Sequence, residues 1–284
     1  MVVLVTGAAG QLGQSLQFIA HDYADCKFIF ASSQDLDITN QEKVNTFFNV
    51  NKIDFCINTA AYTAVDKAET DIEKATSINV DGPKNLALAC KKKNVKLIHV
   101  STDFVFDGSS NIPYLETDVT NPLGVYGQTK LDGEIAVAQN MTDYFIIRTS
   151  WVYSQFGNNF MKTMLRLASE RDSLSIVSDQ VGSPTNAVDL AKAIMQIVTK
   201  IQHPKPRTQF GIYNFSNEGN CSWYDFAVEI FKINNVDIDV QPIPTEAFPT
   251  PAKRPKYSLL DKSKIKNTFG IIIKTWQESL LQTI

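Results

Sequence analysis

Five short apolar runs, each followed by room for a helix, constrain the fold of this chain most strongly. VVLVT (2–6) is apolar throughout, as expected of a parallel strand that is buried on both faces. KFIFA, DFCIN, KLIHVS and YFIIRTS follow at intervals that allow one helix between successive strands. Strands that alternate with helices predict an α/β fold, a Rossmann-type doubly wound parallel sheet.

The second half of the chain has a different pattern of predicted elements. After about residue 155, helical runs mix with short strand-like runs, and prolines accumulate in QPIPTEAFPTPAKRP. We therefore predict an NAD(P)-binding Rossmann domain over residues 1–155 and a smaller, mixed α/β substrate-binding region over residues 156–284. The boundary is soft, because SLSIV (173–177) has the composition of a strand that returns to the main sheet.

Composition and charge argue against several classes of protein. A net charge of −3 over 284 residues lacks the basic surface of a nucleic-acid binder. The four cysteines are far apart and contain no Cys-x-x-Cys pair, so neither a zinc site nor a redox motif is expected. The sequence shows neither a signal peptide nor an apolar stretch long enough to span a bilayer. We expect a cytoplasmic protein that binds neither nucleic acid nor membrane.

The turn after the first apolar run has glycines at a spacing that suits a dinucleotide. VTGAAGQLGQSL places Gly7, Gly10 and Gly13 between the first strand and the first helix. Glycine permits a tight turn and close approach of the backbone to a pyrophosphate, and the helix N-terminus offers N–H groups. The first gap is one residue longer than in the common fingerprint, but the strand–turn–helix context is the required one. We predict NADPH or NADH as cofactor.

The ends of the second and third strands extend the predicted cofactor site. Ser32 and Ser33 stand where an acidic residue would select NAD, and no Arg or Lys is beside them. Small hydroxyl groups tolerate a 2′-phosphate without offering it a charge, so we expect both cofactors to be used, with NADPH preferred. The other predicted contacts are Gln11, Leu12, Asp37, Ile38, Ala60, Ala61, Tyr62 and Thr63.

Two further motifs bring reactive groups to the same edge of the sheet. HVSTDF ends the fourth strand with Thr102 and Asp103. VYGQTKLDGE begins the next helix, where Tyr126 and Lys130 are four residues apart and share a face. Such a pair alone is common on surface helices; its meaning here comes from the glycine turn and the strand-end hydroxyl.

Together these features resemble the extended, nucleotide-sugar branch of the short-chain dehydrogenase/reductase superfamily. A longer set of motifs between Gly7 and Asp261 resembles the dTDP-4-dehydrorhamnose reductase family: AAYTAVDKAE, STDFVF, VYGQTKLDGE, RTSWVY, GNNFMKTMLRLA, SDQVGSPT and PTPAKRPKYSLLD. The resemblance implies NAD(P)H-dependent reduction of the C4 ketone of dTDP-4-dehydro-L-rhamnose to dTDP-L-rhamnose, which is used in bacterial surface polysaccharides.

The resemblance also implies a catalytic set of Thr102, Tyr126 and Lys130. Tyr126 donates its proton to the ketone oxygen as a general acid, and Thr102 donates a hydrogen bond to the same oxygen. Lys130 lowers the pKa of the phenol and holds the nicotinamide ribose. Asn79 supports the proton relay and counts among the cofactor-site residues.

The implied substrate contacts lie at the edge of the Rossmann domain and beyond it. Trp151 contacts the sugar, and the fork of an arginine suits a diphosphate because it binds two oxygens at once. The full predicted set is Thr102, Asp103, Trp151, Asn158, Asn159, Gln180 and Arg254. For Asn158 and Asn159, which stand near the start of a helix, capping is the default role and phosphate binding the alternative.

The last predictions concern a metal ion, the oligomeric state and two alternative functions. Ser15 stands where metal-bridged dimers of the family have a glutamate, so we predict no required metal; a homodimer stays possible. One alternative is another extended nucleotide-sugar reductase or an epimerase. The other is a non-catalytic regulatory protein like the β subunit of methionine adenosyltransferase.

Overall fold

A computed structural model describes residues 1–201 and 209–283. Residues 202–208 and 284, which belong to the predicted second region, lie outside the described residues. The strands of the described part are β1 (Val2–Thr6), β2 (Lys27–Ala31), β3 (Phe55–Asn58), β4 (Lys96–Thr102), β5 (Tyr144–Thr149), β6 (Val152–Tyr153), β7 (Ser173–Val177), β8 (Val181–Gly182), β9 (Thr185–Asn186), β10 (Gly211–Asn214), β11 (Cys221–Ser222) and β12 (Asp239–Ile243).

The helices follow the sequence-based expectations closely. They are α1 (Gln11–Ile19), α2 (Gln41–Val50), α3 (Val65–Ala68), α4 (Ile72–Thr76), α5 (Gly82–Lys93), α6 (Val125–Asn140), α7 (Phe160–Ala168), α8 (Ala187–Ile201), α9 (Trp223–Ile233), α10 (Ser263–Phe269) and α11 (Trp276–Leu281). A π-helical segment, Ser77–Asp81, joins α4 to α5. Short 3₁₀ turns lie at Ala20–Asp22, Asp103–Val105 and Thr245–Ala247.

The central sheet has six parallel strands in the order β2–β1–β3–β4–β5–β10. All five predicted strands belong to it, which confirms the doubly wound parallel fold. The chain runs from β1 out to β2 and then crosses to β3 on the other side of β1. The carboxyl ends of β1 and β3 therefore flank the point where the winding direction changes, which is where such sheets bind ligands.

The sixth strand comes from the second region of the chain, but not from the segment that the sequence suggested. β10 pairs with β5, whereas β7 pairs with β12 in a separate two-stranded ribbon. The suggestion that residues 173–177 return to the main sheet is therefore wrong. β7 buries only Leu174 and Ile176 and exposes Ser173 and Ser175, and such one-sided burial does not suit an internal parallel strand.

Two layers of helices cover the sheet, and the strands alternate between them. Val3 and Val5 of β1 face one core, against α1 and α8, while Leu4 faces the other, which α2, α5 and α6 complete. Because α8 packs against α1, the second region contributes a helix as well as a strand to the first domain. We still propose that the substrate-binding region begins near residue 155, although part of the chain after this point belongs to the first domain.

A third core belongs to the second region. It joins α7, α9 and α11 to β7 around Phe226, Ile230 and Trp276. Cys56 and Cys90 are buried beneath the main sheet, and none of the four cysteines forms a disulfide. A search of the described residues finds no helix with the length and apolarity that crossing a membrane requires.

Candidate active site

Two adjoining cavities open along the carboxyl edge of the sheet. The smaller, of about 340 Å³, lies over β1 and β2 and is lined by Gly7, Ser33, Leu36, Asp37, Ile38, Thr39, Ala60 and Ile78 among others. The larger, of about 680 Å³, extends from the glycine turn to the second region. Ala9, Gly10, Thr59 and Ala61 line both, so one elongated ligand fits along the two cavities.

The glycine turn has the geometry that a bound pyrophosphate needs. Gly7 has a φ of +69°, and a Cβ there would lie 2.5 Å from the backbone nitrogen of Ala60. A Cβ on Gly13 would lie 2.5 Å from the carbonyl oxygen of Gly7. Gly10 is the N-cap of α1 and has no side chain with which to bond the first N–H groups of the helix. The turn therefore fits a nicotinamide dinucleotide.

Most of the predicted cofactor residues line these cavities. They are Gly7, Gly10, Gln11, Leu12, Asp37, Ile38, Ala60, Ala61, Thr63, Tyr126 and Lys130. Gly13 instead lies beneath the turn. Ser32 is turned toward Asp35, whose Oδ2 accepts from its N–H at 2.9 Å and from its hydroxyl at 2.6 Å. The neighbouring Ser33 lines the smaller cavity.

Asn79 and Tyr62 support the site from behind the cavity wall. The backbone N–H of Tyr62 donates to Asn79 Oδ1 at 2.9 Å, and Asn79 Nδ2 donates to the carbonyl oxygen of Tyr62 at 3.2 Å. Asn79 Nδ2 also donates to the hydroxyl of Thr129 on α6 at 3.1 Å. The asparagine thus links the loop after β3 to the helix that carries Tyr126, and it stands in the π-helical segment, a feature frequent at functional sites.

Thr102, Tyr126 and Lys130 converge on the larger cavity. Thr102 ends β4, and the other two lie on the first turns of α6. α6 approaches the turn after β4 closely, since a Cβ on Gly127 would lie 2.2 Å from the carbonyl oxygen of Phe104. The ring of Phe104 packs edge-on against Tyr126 with the ring centroids 5.5 Å apart.

Burial controls the acidity of this pair. It raises the pKa of Tyr126 to about 12, which a contact with the Thr102 hydroxyl only partly offsets and the charge of Asp103 reinforces. Burial lowers the pKa of Lys130 to about 8, although the nearby Glu134 acts in the opposite direction. The ammonium donates to the carbonyl oxygen of Val100 at 2.7 Å. The prediction that Lys130 lowers the pKa of the phenol is wrong for this structure, because burial dominates the pKa of Tyr126 and Lys130 is not among the groups that shift it.

Asp103 introduces a second titrating group beside the catalytic set. It is buried, and burial raises its pKa to about 6. The hydroxyl of Thr102 donates to Asp103 Oδ1 at 3.0 Å, and in the described part of the chain no side chain or backbone group hydrogen-bonds Oδ2. Asp103 lines the larger cavity, as predicted, and the Ser258 hydroxyl acts against burial by lowering the pKa of the Asp103 carboxyl.

An aromatic wall forms the far side of the larger cavity. The rings of Trp151 and Trp223 stack with their centroids 3.6 Å apart and their planes 11° from parallel, and Phe160 lies 4.6 Å from Trp223. Trp151 has a φ of +47°, an unusual conformation for a bulky residue. Sequence reasoning missed Trp223, although its place directly after Ser222, the cap of α9, marks an aromatic side chain at the start of a helix.

Gln180, a predicted nucleotide contact, does not line either cavity. Its Oε1 accepts from the indole N–H of Trp223 at 3.2 Å, and its Nε2 donates to the hydroxyl of Thr245 at 3.1 Å. The side chain therefore orients the aromatic wall from behind. Gly182 permits the same wall to close, because a Cβ there would lie 2.8 Å from the Trp151 ring.

The remaining predicted substrate residues all line the larger cavity, and two of them also make contacts that link parts of the chain. Asn158 and Asn159 both line it. Asn159 caps α7 through the N–H of Lys162 and also donates to Gln11 Oε1 at 3.0 Å, so it joins the second region to α1. Arg254 lines the cavity too, with its guanidinium paired to Asp66, a residue that sequence reasoning missed.

The metal prediction stays a prediction. Residues 1–201 and 209–283 contain no group of three or more His, Cys, Asp or Glu side chains placed to hold a metal ion. Ser15, the residue on which the prediction rests, is buried in α1 and donates to the carbonyl oxygen of Gln11 at 2.9 Å.

The sheet order, the glycine turn and the convergence of Thr102, Tyr126 and Lys130 define an NAD(P)H-binding short-chain dehydrogenase/reductase. The family described as the RmlD substrate binding domain matches residues 1–284, and this chain belongs to it. This result confirms the resemblance that the motifs indicated.

Named relatives and solved structures agree with that assignment. The dTDP-4-dehydrorhamnose reductase of Aggregatibacter actinomycetemcomitans is 44% identical, over 98% of this chain and 96% of the relative. The crystal structure of a dTDP-4-dehydrorhamnose reductase from Clostridium acetobutylicum is 45% identical, covers 100% of this chain and 98% of its own, and superimposes with a TM-score of 0.94. That of the Bacillus anthracis reductase, in complex with NADP, is 38% identical with a TM-score of 0.91 over 99% and 98% of the two chains.

Proposed function

We propose that this chain reduces the C4 ketone of dTDP-4-dehydro-L-rhamnose to dTDP-L-rhamnose, with NADPH or NADH as the reductant. The observation that carries the proposal is the convergence of Thr102, Tyr126 and Lys130 on a cavity that adjoins the glycine turn. The relatives at 44% and 45% identity are named for this activity. The product is a sugar donor for surface polysaccharides.

The cofactor site follows from the two cavities. The glycine turn at Gly7 and Gly10 holds the pyrophosphate against the start of α1, while Asp37 and Ile38 line the end that receives the adenosine. When bound, the nicotinamide supplies a hydride to the ketone carbon. Lys130 lines the larger cavity near its nicotinamide end and offers its remaining N–H donors to the ribose.

Tyr126 acts as the general acid. With a pKa of about 12 the phenol is fully protonated at neutral pH, which is the form that donates. The ketone oxygen becomes an alkoxide as the carbon is reduced, and an alkoxide is a much stronger base than a phenolate, so the proton moves downhill. Lys130, on the same face of α6 and with a pKa of about 8, stabilises the resulting phenolate and can return a proton to it.

Thr102 stabilises the charge that develops on the same oxygen, and Asp103 decides where its hydroxyl hydrogen points. While Asp103 is ionised, that hydrogen is donated to Oδ1. A protonated Asp103 instead donates to Thr102 and leaves the hydroxyl hydrogen for the substrate oxygen. Burial raises the pKa of Asp103 to about 6, and bound substrate removes more water from the cavity that this residue lines, so binding favours the protonated form.

The substrate lies between the catalytic set and the second region. Its deoxysugar packs against Trp151 and Trp223, since a 6-deoxy sugar presents apolar C–H groups that suit an indole face. Its diphosphate reaches Arg254. Asn158 lines the stretch of cavity between these two walls and the glycine turn.

Product identification tests the proposal. The protein is incubated with dTDP-4-dehydro-L-rhamnose and NADPH, the absorbance of NADPH is followed, and the sugar is identified by NMR. The proposal requires one equivalent of NADPH oxidised for each dTDP-L-rhamnose formed. An isomerised sugar with no net NADPH oxidation would indicate an epimerase. No turnover, together with a stoichiometric protein partner, would indicate the regulatory alternative.

A further inference from the structure

Asp66 and Arg254 form an ion pair across the two regions of the chain. Arg254 Nη2 donates to Asp66 Oδ2 at 2.8 Å, and Nη1 donates to Oδ1 at 3.0 Å. The backbone N–H of Ala252 donates to Oδ1 as well, at 3.2 Å. Asp66 belongs to α3, which follows the third strand of the main sheet, and the other two residues belong to a proline-rich segment 186 and 188 positions later. The carboxylate therefore fixes both the segment and its arginine.

The guanidinium is held along one edge only. Nη1 also donates to the hydroxyl of Thr250 and to the carbonyl oxygen of Ala252, so the Nη1–Nη2 edge is occupied by protein acceptors. Within residues 1–201 and 209–283, nothing accepts from Nε, and the side chain lines the larger cavity. A guanidinium presents two edges with parallel N–H bonds, and the Nε–Nη2 edge is left for a ligand.

We propose that Asp66 is a positioning residue for the substrate's diphosphate: it orients Arg254 so that its Nε–Nη2 edge receives two phosphate oxygens. This inference rests on the proposed function, because a dTDP-sugar supplies the diphosphate. Asp66 does not touch the ligand in this arrangement. It acts by removing the rotational freedom of a long side chain before the ligand arrives, which lowers the entropic cost of binding.

The charge of Asp66 and its positioning of Arg254 have opposite effects on the affinity for a diphosphate. The direction in which the affinity changes when Asp66 is replaced therefore tests the inference. Its hydrogen bonds from Arg254 hold the pKa of Asp66 below its usual range, so the carboxylate is ionised at neutral pH. A nearby negative charge repels a diphosphate. If Coulomb repulsion dominated, Asp66→Asn would tighten binding, whereas loss of positioning weakens it.

The test measures dissociation constants for dTDP by calorimetry. We expect Asp66→Asn to weaken dTDP binding about tenfold, with kcat at saturating substrate changed by less than about twofold and the NADPH affinity unchanged. In an Arg254→Gln background the same change should not weaken binding further, because there is no guanidinium left to orient and only the repulsion by the carboxylate is removed. Thr250→Val, which removes an acceptor for the same guanidinium without altering charge, should weaken binding two- to threefold by the same physical argument.

Glu170→Gln provides the matched control. It disrupts another pair in which an arginine, Arg166, meets both carboxylate oxygens, at 2.8 and 2.9 Å, but this pair is exposed on α7 and lines neither cavity. We expect wild-type dTDP affinity in this variant. Equal or tighter dTDP binding by Asp66→Asn, a loss that persists in full without Arg254, or a parallel loss of NADPH affinity would overturn the inference. Failure of the wild-type protein to bind dTDP would instead contradict the proposed function.

Discussion

The ammonium of Lys130 donates to the carbonyl oxygen of Val100 at 2.7 Å, which anchors the first turns of α6 to β4, an internal strand of the sheet. Val100 lies on β4, two residues before Thr102, so one strand positions both the Thr102 hydroxyl and the Lys130 ammonium. The amine is buried and its pKa lies only about one unit above neutrality. This combination makes the charge of Lys130 sensitive to pH in the working range.

We expect kcat to fall as pH rises through about 8. The folded-state pKa of Lys130 is lowered from 10.5, so the ammonium that stabilises the Tyr126 phenolate is present below about pH 8 and lost above it. The measurement is kcat with saturating NADPH and sugar nucleotide between pH 6.5 and 9.5. The kcat of Lys130→Met should be low throughout this pH range and should not fall further as pH rises through about 8. A wild-type profile that stays flat across this range would contradict the role of the ammonium.

Glu69 should affect catalysis without touching the ligand. The N-cap of α6 is Gly124, which has no side chain, and Glu69 Oε1 accepts from the N–H of Val125 at 2.9 Å instead. Loss of a cap costs about 1 kcal/mol, and here it also loosens the turn that carries Tyr126. We expect Glu69→Ala to lower kcat about tenfold, by the sensitivity of catalysis to small misplacements, and Glu69→Gln to keep most activity.

Asn40→Ala is the control for that prediction. Asn40 caps α2 by accepting from the N–H of Lys43, and α2 packs beneath the sheet with no residue in the larger cavity. Urea unfolding should show a similar loss of stability, about 1 kcal/mol, in Asn40→Ala and Glu69→Ala. Only the second should lose kcat. Equal kcat in the two variants would reduce Glu69 to an ordinary cap.

Trp223 should report substrate binding and contribute to it. Two of the three tryptophans stack in the larger cavity, and the third, Trp276, is buried in the core of the second region. We expect Trp223→Ala to raise KM for the sugar nucleotide about tenfold, since aromatic contacts of this kind are worth about 1 kcal/mol beyond their buried area. Intrinsic fluorescence should change on adding substrate in wild type and in Trp276→Phe. An unchanged KM in Trp223→Ala would show that Trp223 does not contribute to substrate binding.

The smaller cavity should accept both NADPH and NADH. Among the described residues that line it, none is Arg or Lys, and the exposed Ser33 leaves space at the end of β2. Ser33→Arg should raise the ratio of kcat/KM for NADPH over NADH at least tenfold, because a guanidinium pairs with the 2′-phosphate. Steady-state kinetics with each cofactor provide the measurement. A thousandfold preference of the wild type for NADH would contradict the expectation that NADPH is favoured.

Local patterns in the sequence were sufficient to predict the first five strands of the sheet and the position of the reactive groups. Continuous apolar runs predicted β1 to β5, and the strand–glycine–helix turn and the four-residue spacing of Tyr126 and Lys130 placed these groups at one edge. Each of these features depends on periodicity over a few residues, which a single sequence displays directly.

The features that sequence reasoning missed depend on contacts between residues far apart in the chain, or on how deeply a side chain is buried. Asp66 meets Arg254 across 188 positions, and the partners of β7 and β10 are set by pairing that no local pattern encodes. The pKa of Tyr126 was predicted in the wrong direction because spacing shows that a cation is near but not how deeply the phenol is buried. Trp223 lay beyond the motifs considered.

Turnover of Tyr126→Phe is the most direct test of the central claim, that the Tyr126 phenol protonates the reduced ketone. The variant keeps the ring that packs against Phe104 and removes only the hydroxyl. We predict that kcat for dTDP-4-dehydro-L-rhamnose falls by about 10² to 10⁴, with NADPH affinity and the folding midpoint unchanged. A variant that turns over at a rate near that of the wild type would contradict the account.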